Sequence, residues 1–148
     1  GAYRASIFTT ILVVILDIYT KNFWFAQKDP WTKLAPFLQT IQHRNQGLIF
    51  NLPLPIPLII ALSILALSGA ILFLRKKIPH DPRFAAVASL LTAGAIGNLY
   101  DRIALGFVRD WILAFNKSAF NIADISIALG LILFVILNQE RTEKSQEI

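Results

Sequence analysis

The sequence predicts an all-α integral membrane protein with four transmembrane helices. Hydrophobic residues make up 55% of the 148-residue chain and charged residues only 16%, and the mean hydropathy is +0.59. These values are too apolar for an ordinary soluble domain of this length. The apolar residues also form four blocks separated by polar connections, which is the pattern of a multi-pass membrane protein. We therefore expect a single membrane domain.

The four predicted spans differ in how strictly they exclude charge. The second is 18 residues long without a charged side chain, which is enough to cross a membrane. The first contains Asp17 and Lys21, and the fourth contains only Asp124. The charges of Asp17 and Lys21 and the lack of an Ala-x-Ala site favour a retained first span over a removed signal peptide. The spans are residues 5–25, 57–74, 84–100 and 119–137, and the connections and tail are residues 26–56, 75–83, 101–118 and 138–148.

Basic residues predict the orientation of these spans. The short connection 75–83 carries four Lys/Arg, so the positive-inside rule places it in the cytoplasm. Both termini are then cytoplasmic, and the connections 26–56 and 101–118 face outward, although they also hold some basic residues. The net charge of +5 indicates affinity for anionic lipid headgroups. No basic face or recognition motif points to nucleic acid.

Composition also argues against metal and thiol chemistry. The chain has no cysteine, and its two histidines, His43 and His80, stand far apart. It has no His-Glu-x-x-His motif and no cysteine–histidine cluster of the kind that binds zinc. We therefore expect no metal ion and no cofactor.

The carboxylates are the most informative residues. An ionisable group at membrane depth is energetically expensive, so its presence indicates function. Asp17, Asp101, Asp110 and Asp124 all lie near the predicted outer membrane boundary, and so does Asn98. Two converging carboxylates can share one proton and activate a water molecule, which is the chemistry of peptide-bond hydrolysis.

Two of the charged pairs allow a simpler structural interpretation. Asp17 and Lys21 are spaced i, i+4, so they share a helix face and either neutralise each other or support the site. Asp101 and Arg102 either form an interfacial ion pair that closes a helix or position the site. Local sequence leaves both alternatives open.

The two most promising carboxylates have alternatives of their own. Asn121 is a good helix N-cap, and an acid at Asp124 suits the first turn, so capping alone explains this pair. Asp110 follows Arg109 and, taken alone, is interpreted more simply as a solvated loop carboxylate. Four aromatic residues near the outer boundary are expected to form an interfacial belt. They are Trp31, Tyr100, Phe107 and Trp111.

Small residues in the third span predict close helix packing. Gly94, Asn98 and Asp101 are spaced i, i+4, i+7 and share one face. Ala93 and Gly97 form a small-xxx-small pair, which allows another helix to approach closely.

Taken together, these residues resemble the lipoprotein signal peptidase family, also called signal peptidase II, whose members are small bacterial inner-membrane aspartic peptidases with four spans. Any one family motif is a weak signal, but five occur in order between Asp17 and about Gly130. The matches are Asp17 and Lys21 in the first span, Asn45 and Gly47 of Asn-x-Gly, Gly94, Gly97, Asn98, Asp101 and Arg102 of Gly-x-x-Gly-Asn-x-x-Asp-Arg, Val108 and Asp110 of Val-x-Asp-Phe, and Phe120, Asn121, Ala123 and Asp124 of Phe-Asn-x-Ala-Asp.

The resemblance implies a specific activity. The substrate would be a prolipoprotein carrying diacylglycerol on a cysteine, and the cut would fall just before that cysteine. Asp110 and Asp124 match the catalytic dyad, and Asn45 and Gly47 match residues that hold the substrate backbone. The cyclic peptide globomycin is the expected inhibitor, and a monomer is the simplest assembly. The site-supporting residues would be Asp17, Lys21, Asn98, Asp101, Arg102 and Asn121.

The resemblance also implies structure around the site. The outer connection from Trp31 to Asn51 would form a small extracytoplasmic β-containing platform with a short amphipathic helix. Three positions depart from the family pattern, where Ala, Gly and Phe are usual, and they affect the expected fit of substrate more than the chemistry. They are Leu48, Ala93 and Trp111.

Physical reasoning assigns the shared proton. We hypothesise that Asp124 is the ionised member, because the N-terminus of its helix favours negative charge, and that Asp110 holds the proton. The main alternative function is a non-enzymatic carrier or an assembly subunit that uses buried Asp and Lys residues as a proton pathway or as interhelical contacts.

Overall fold

The computed structural model describes residues 2–29, 31–47 and 54–146. In these residues the chain forms four long helices and one four-stranded antiparallel sheet, so the four predicted helices are confirmed. The elements in chain order are α1 (Ala2–Phe25), β1 (Lys33–Ala35), β2 (Leu38–Asn45), α2 (Ile56–Lys77), α3 (Phe84–Leu105), β3 (Val108–Ala114), β4 (Ser118–Phe120) and α4 (Ile122–Gln146).

Three of these helices, α1, α2 and α4, are long and apolar enough to cross a membrane. They expose large apolar side chains, among them Phe8 at 69% and Leu65 at 70%, which water would not tolerate over so wide a surface. The protein is therefore a multi-pass membrane protein. Helix α3 has 22 residues but is not among these three, so its crossing stays a prediction.

Helix α3 lies at the centre of the bundle and packs against each of the other three helices. It continues past the predicted end at residue 100 and stops at Leu105, where Gly106 adopts the left-handed conformation (φ 78°) that commonly ends helices. Asp101 and Arg102 therefore lie in its last turns rather than in a loop.

Two glycines of α3 allow this close packing. A Cβ atom at Gly94 would collide with the backbone carbonyl of Ala123 and the side chain of Ile127, both on α4. A Cβ atom at Gly97 would collide with the carboxylate of Asp17 on α1. The predicted close contact is thus present at Gly97, and Gly94 provides a second one that the small-residue pair did not include. Together they bring the start of α4 against α1.

We expect Gly94→Ala to lower the free energy of unfolding by about 1–3 kcal/mol, because the obstructing atom is backbone and cannot rotate away. Gly69→Ala on α2 is the matched control, because a Cβ atom there meets nothing within 4 Å. The control is expected to leave stability unchanged or to raise it slightly. Thermal unfolding in detergent measures both, and equal effects of the two substitutions would contradict the close contact.

The sheet joins the two connections that were predicted to face outward, in the order β1-β2-β3-β4. The expected platform drew only on Trp31 to Asn51, which was incomplete, because β3 comes from the second connection and β4 from residues 118–120, where that connection was predicted to meet the fourth span. The β3–β4 turn contains Phe115 and Asn116, both with positive φ. Helix α4 consequently starts at Ile122 and not at residue 119.

The amphipathic helix expected in the first outer connection is not seen in the parts of it that the structure describes, residues 26–29, 31–47 and 54–55. Residues 48–53 lie outside the described residues, and so does the family departure at Leu48.

The opposite end of the bundle holds an apolar cluster of α2, α3 and α4 that includes Leu74 and Leu137. Lys77 ends α2 with its ammonium 5.2 Å from the ring centroids of Phe73 and Phe84 and 5.8 Å from that of Phe134. Its Nζ also donates a hydrogen bond of 2.9 Å to Asn138. This arrangement ties three helix ends together far from the polar residues described below.

Candidate active site

The first candidate carboxylate, Asp110, is buried on β3 and only 1% exposed. Its Oδ2 accepts a hydrogen bond of 3.1 Å from the amide of Asn45, and its Oδ1 accepts one of 2.8 Å from the amide of Asn121. The solvated-loop interpretation of Asp110 was therefore wrong. Apolar and aromatic residues at 108–113 signal a strand, and this strand turns the carboxylate inward.

The second candidate carboxylate, Asp124, lies in the first turn of α4 and is partly exposed. It accepts hydrogen bonds of 2.8 Å from Asn98 Nδ2 and 3.3 Å from the backbone N–H of Asn121. Asn121 Oδ1 accepts a bond of 2.9 Å from the Asp124 N–H, which completes a reciprocal capping arrangement. The capping interpretation is thus correct for this pair, but it accounts only for the Oδ1 atom of Asn121 and not for its Nδ2 atom.

Asn121 joins the two carboxylates. While its Oδ1 caps α4, its Nδ2 lies within hydrogen-bond distance of Asp110, of Asn98 Oδ1 (3.2 Å) and of the Arg109 carbonyl (3.3 Å). The residue is fully buried. One amide therefore fixes the orientation of Asp110 relative to Asp124, and no side chain without both a donor and an acceptor could do this.

The two carboxylates also interact electrostatically. Burial raises the pKa of Asp110 to about 7, and the nearby charge of Asp124 contributes to the increase. Hydrogen bonds from Asn45 and Asn121 oppose the increase, and so does the charge of Lys21. At neutral pH, Asp110 is therefore poised between its protonated and ionised forms.

A buried ionic cluster lies next to this pair. Lys21 Nζ is 2.6 Å from Asp17 Oδ2 and 3.5 Å from Asp101 Oδ2, and all three side chains are fully buried. Lys21 also donates a hydrogen bond of 3.2 Å to Asn98 Oδ1. The predicted Asp17–Lys21 pair is thus confirmed. Because Asn98 in turn contacts Asp124, the pair neutralises charge and supports the candidate site at once.

Asp17 has a second contact that fixes the position of α4. Its Oδ1 accepts a hydrogen bond of 2.9 Å from the backbone N–H of Ala123. A carboxylate at a helix N-terminus satisfies a free N–H and interacts favourably with the helix dipole. Helix α1 therefore helps to hold the turn that carries Asp124.

Asp101 is paired differently from the sequence expectation. It forms a salt bridge of 2.8 Å with Arg109 Nη2, and its Oδ2 accepts a bond of 2.9 Å from the Arg109 backbone N–H. Arg102 instead donates a hydrogen bond of 3.2 Å to the carbonyl of Gly47. Of the two alternatives for Asp101 and Arg102, the ion pair was therefore wrong, because successive helix residues point in different directions.

Arg109 was missed as a functional candidate. It is 8% exposed, and with Lys21 it balances the two negative charges of Asp17 and Asp101. The only sequence signal was its position beside Asp110, since its partner lies on a helix across the Gly106 turn.

We expect Arg109→Met to lower the free energy of unfolding by about 3–5 kcal/mol, because the substitution leaves a buried carboxylate without its partner. The double variant Arg109→Met/Asp101→Asn is expected to lose less than the sum of the single variants, because the unpaired charge is gone. Arg44→Met on β2 is the matched control, because Arg44 is exposed. Additive effects in denaturant unfolding would contradict the ion pair.

The substrate-binding candidates lie at the end of β2. Asn45 Oδ1 accepts a hydrogen bond of 3.0 Å from the N–H of Gly47, while its Nδ2 contacts Asp110. The carbonyl of Gly47 accepts the bond from Arg102 described above. Asn45 is therefore linked directly to one of the candidate carboxylates.

Two departures from the family pattern lie in the protein core. Trp111 is 8% exposed and stacks on Trp24 of α1, with ring centroids 5.5 Å apart and planes 15° apart. Its assignment to an interfacial belt was wrong, because the side chain is buried within the protein against Trp24. Ala93 is fully buried on α3.

Comparisons with known proteins agree with this arrangement. The model of the signal peptidase (SPase) II family matches residues 9–138. A lipoprotein signal peptidase of Aquifex aeolicus is 37% identical, covering 85% of this chain and 80% of the relative. One from Thermodesulfovibrio yellowstonii is 34% identical, covering 94% of this chain and 97% of the relative.

A solved structure supports the same assignment. It is described as a bacterial membrane enzyme structure by the in meso method at 2.3 Å resolution, and it is 30% identical with a TM-score of 0.87. The likeness covers 95% of this chain and 90% of that chain. The chain therefore belongs to the signal peptidase II family of aspartic-type membrane peptidases, which process lipoproteins.

Proposed function

We propose that the protein removes the signal peptide from diacylglyceryl-modified prolipoproteins by cutting just before the lipid-bearing cysteine, with Asp110 and Asp124 as the catalytic dyad. The observation that carries this proposal is the hydrogen bonding of both carboxylates to Asn121, together with the raised pKa of Asp110. Two such carboxylates suffice for peptide hydrolysis by acid–base catalysis.

Each carboxylate has a distinct role in the proposed mechanism. Asp124, with two donors at the N-terminus of α4, is the ionised base that takes a proton from water. Asp110, with its pKa near neutrality, holds the proton and donates it to the scissile carbonyl oxygen as water attacks the carbon. The resulting diol collapses when Asp124 passes its proton to the leaving nitrogen and a diol hydroxyl gives a proton back to Asp110, which returns the dyad to its starting state.

Neighbouring residues hold this geometry. Asn98 and Asn121 orient the carboxylates, and Arg102 faces the site from α3 while it holds Gly47. Asn45 and Gly47 would contact the substrate backbone as it passes the end of β2. The ionic cluster of Asp17, Lys21, Asp101 and Arg109 fixes α1, α3 and β3 beneath the dyad.

The proposed location is the bacterial inner membrane, with the dyad near the extracytoplasmic face and both termini in the cytoplasm. The basic connection 75–83 lies at the other end of the helices from Asp110 and Asp124, which supports this orientation. A substrate anchored by acyl chains would diffuse laterally to a site where water is also accessible. The protein would act as a monomer.

The proposal is tested by a cleavage assay in detergent with a chelator present. We expect a prolipoprotein carrying diacylglycerol to be shortened, and mass spectrometry of the product to place the cut before the modified cysteine. The same prolipoprotein without diacylglycerol is the matched control and should stay intact. Globomycin is expected to block the reaction.

Failure of the folded protein to cut a substrate that an active relative cuts would contradict the proposal. Cleavage that stops with chelator would contradict the metal-independent dyad. The carrier and assembly-subunit alternatives are not retained, because the chain belongs to a family of enzymes.

A further inference from the structure

A groove on the membrane-facing surface lies far from the dyad, where α1 begins and α2 ends. It has a volume of about 410 Å³ and is lined by one face of each of three helices. Ile7 and Ile11 line it from α1, Ile71 from α2, and Ala88 and Thr92 from α3. The two residues on α1 are spaced i, i+4, and so are the two on α3, so each pair lies on one face of its helix. The groove therefore runs along the helices.

The length of the groove matches one leaflet of a bilayer. Its α1 wall runs from Tyr3 to Ile11, which corresponds to about 12 Å at about 1.5 Å of rise per residue. Half of the hydrocarbon thickness of a membrane is about 15 Å. A single acyl chain of the leaflet on the side of connection 75–83 could therefore lie in the groove over most of its depth.

The mouth of the groove is cationic. Arg75 lines it, one helical turn after Ile71, at the polar end of α2. Within the described part of the chain, Arg75 has no ion-pair partner, and neither has Arg4, which follows Tyr3. By contrast, Arg83 in the same connection is paired with Asp81 and Glu140. The unpaired guanidinium at the groove is therefore available to an anion from outside the chain.

We propose that this groove binds an anionic glycerophospholipid, with one acyl chain between α1, α2 and α3 and the phosphate at Arg75. Basic pockets between membrane helices on this side are suited to anionic headgroups. The signal peptide of a substrate is a poorer occupant, because its positively charged n-region would meet Arg75. The proposal depends on the groove and its charge and not on the proteolytic mechanism.

Native mass spectrometry of the detergent-solubilised protein tests this, with phosphatidylglycerol and phosphatidylcholine of identical acyl chains as probes. We expect phosphatidylglycerol to be retained preferentially by the parent. Arg75→Gln should reduce its retention about fivefold, because one basic side chain near a lipid surface contributes about 1 kcal/mol. Lys76→Gln is the matched control, since it removes the same charge next to Arg75 from a side chain that does not line the groove.

A second variant tests the apolar part of the groove. Ala88→Leu adds volume to the α3 wall and should lower retention of both lipids while cleavage activity is unchanged. Equal retention of the two lipids by the parent, or an equal loss in Arg75→Gln and Lys76→Gln, would overturn the proposal. Displacement of phosphatidylglycerol by a synthetic signal peptide would also overturn it, by assigning the groove to substrate, whereas continued lipid binding supports it.

Discussion

Asp110→Asn and Asp124→Asn are each expected to reduce the turnover number about a thousandfold or more, since acid–base catalysis by a positioned group contributes about 10²- to 10⁴-fold. Asparagine has the shape of aspartate but can neither accept the proton of water nor donate one to the carbonyl oxygen. Asp110→Asn removes a buried carboxyl and keeps one acceptor for Asn45 or Asn121, so the fold should survive. Thermal unfolding and single-turnover cleavage measure the two properties separately.

The double variant makes this test specific to a dyad. Residues that act as one catalytic unit are strongly non-additive, so the double variant should be scarcely slower than either single variant. Asp29→Asn, an exposed carboxylate in the connection between α1 and α2, is the matched control and should retain parental turnover. Substantial turnover by Asp110→Asn, or losses that multiply in the double variant, would show that the two carboxylates do not act together.

The second large effect is a pH dependence set by Asp110. Because its pKa is raised to about 7, the protonated form required for catalysis is lost as the pH rises through that value. We expect kcat/KM to fall about tenfold per pH unit above about pH 7 for loss of a single proton. A rate that stays constant up to pH 9 would contradict the role assigned to Asp110.

Replacing Asn45 is expected to shift this pH dependence in a defined direction. Its hydrogen bond stabilises the ionised form of Asp110 and lowers the pKa of that carboxyl. Asn45→Ala should therefore move the alkaline limb of the profile to higher pH, whatever it does to substrate binding. Gln46→Ala, at the exposed neighbouring position, should leave the limb in place. A shift to lower pH in Asn45→Ala would contradict the hydrogen-bond assignment.

The free energy of unfolding should also depend on the titration of Asp110, and it should decrease as the pH rises. Between pH 3.8, the ordinary value, and about 7, the folded protein binds a proton at Asp110 that the unfolded chain has released. The free energy of unfolding therefore falls as the pH rises through this window, by up to about 1.4 kcal/mol per pH unit. Asp110→Asn should remove this contribution, which unfolding at several pH values would reveal.

Sequence patterns predicted the elements whose signals are local. Four apolar blocks indicated four helices, and the i, i+4 spacing of Asp17 and Lys21 indicated their ion pair, which the structure contains. The end of α3 was placed too early, although Gly106 after Leu105 is a normal helix-stop signal. The strand at 108–114 and the turn at Asn116 also had local signals, in β-forming residues and a residue that tolerates positive φ.

The remaining features depend on contacts between distant residues. The pairing of Asp101 with Arg109 requires the chain to turn at Gly106 and the strand to fold back on the helix end. The hydrogen bond from Ala123 to Asp17 joins residues 106 positions apart. The stacking of Trp111 on Trp24 explains a residue that looked like a departure from the family pattern. Local spacing does not encode such contacts.

Infrared difference spectroscopy of the carboxyl groups tests the coupled dyad most directly. The parent should show a protonated carboxyl band that persists to about pH 7, and this band should be absent from Asp110→Asn. Because the charge of Asp124 helps to raise the pKa of Asp110, the band should remain in Asp124→Asn but disappear at lower pH. A band that survives in Asp110→Asn, or a midpoint unchanged by Asp124→Asn, would contradict a proton held on Asp110 by a coupled pair.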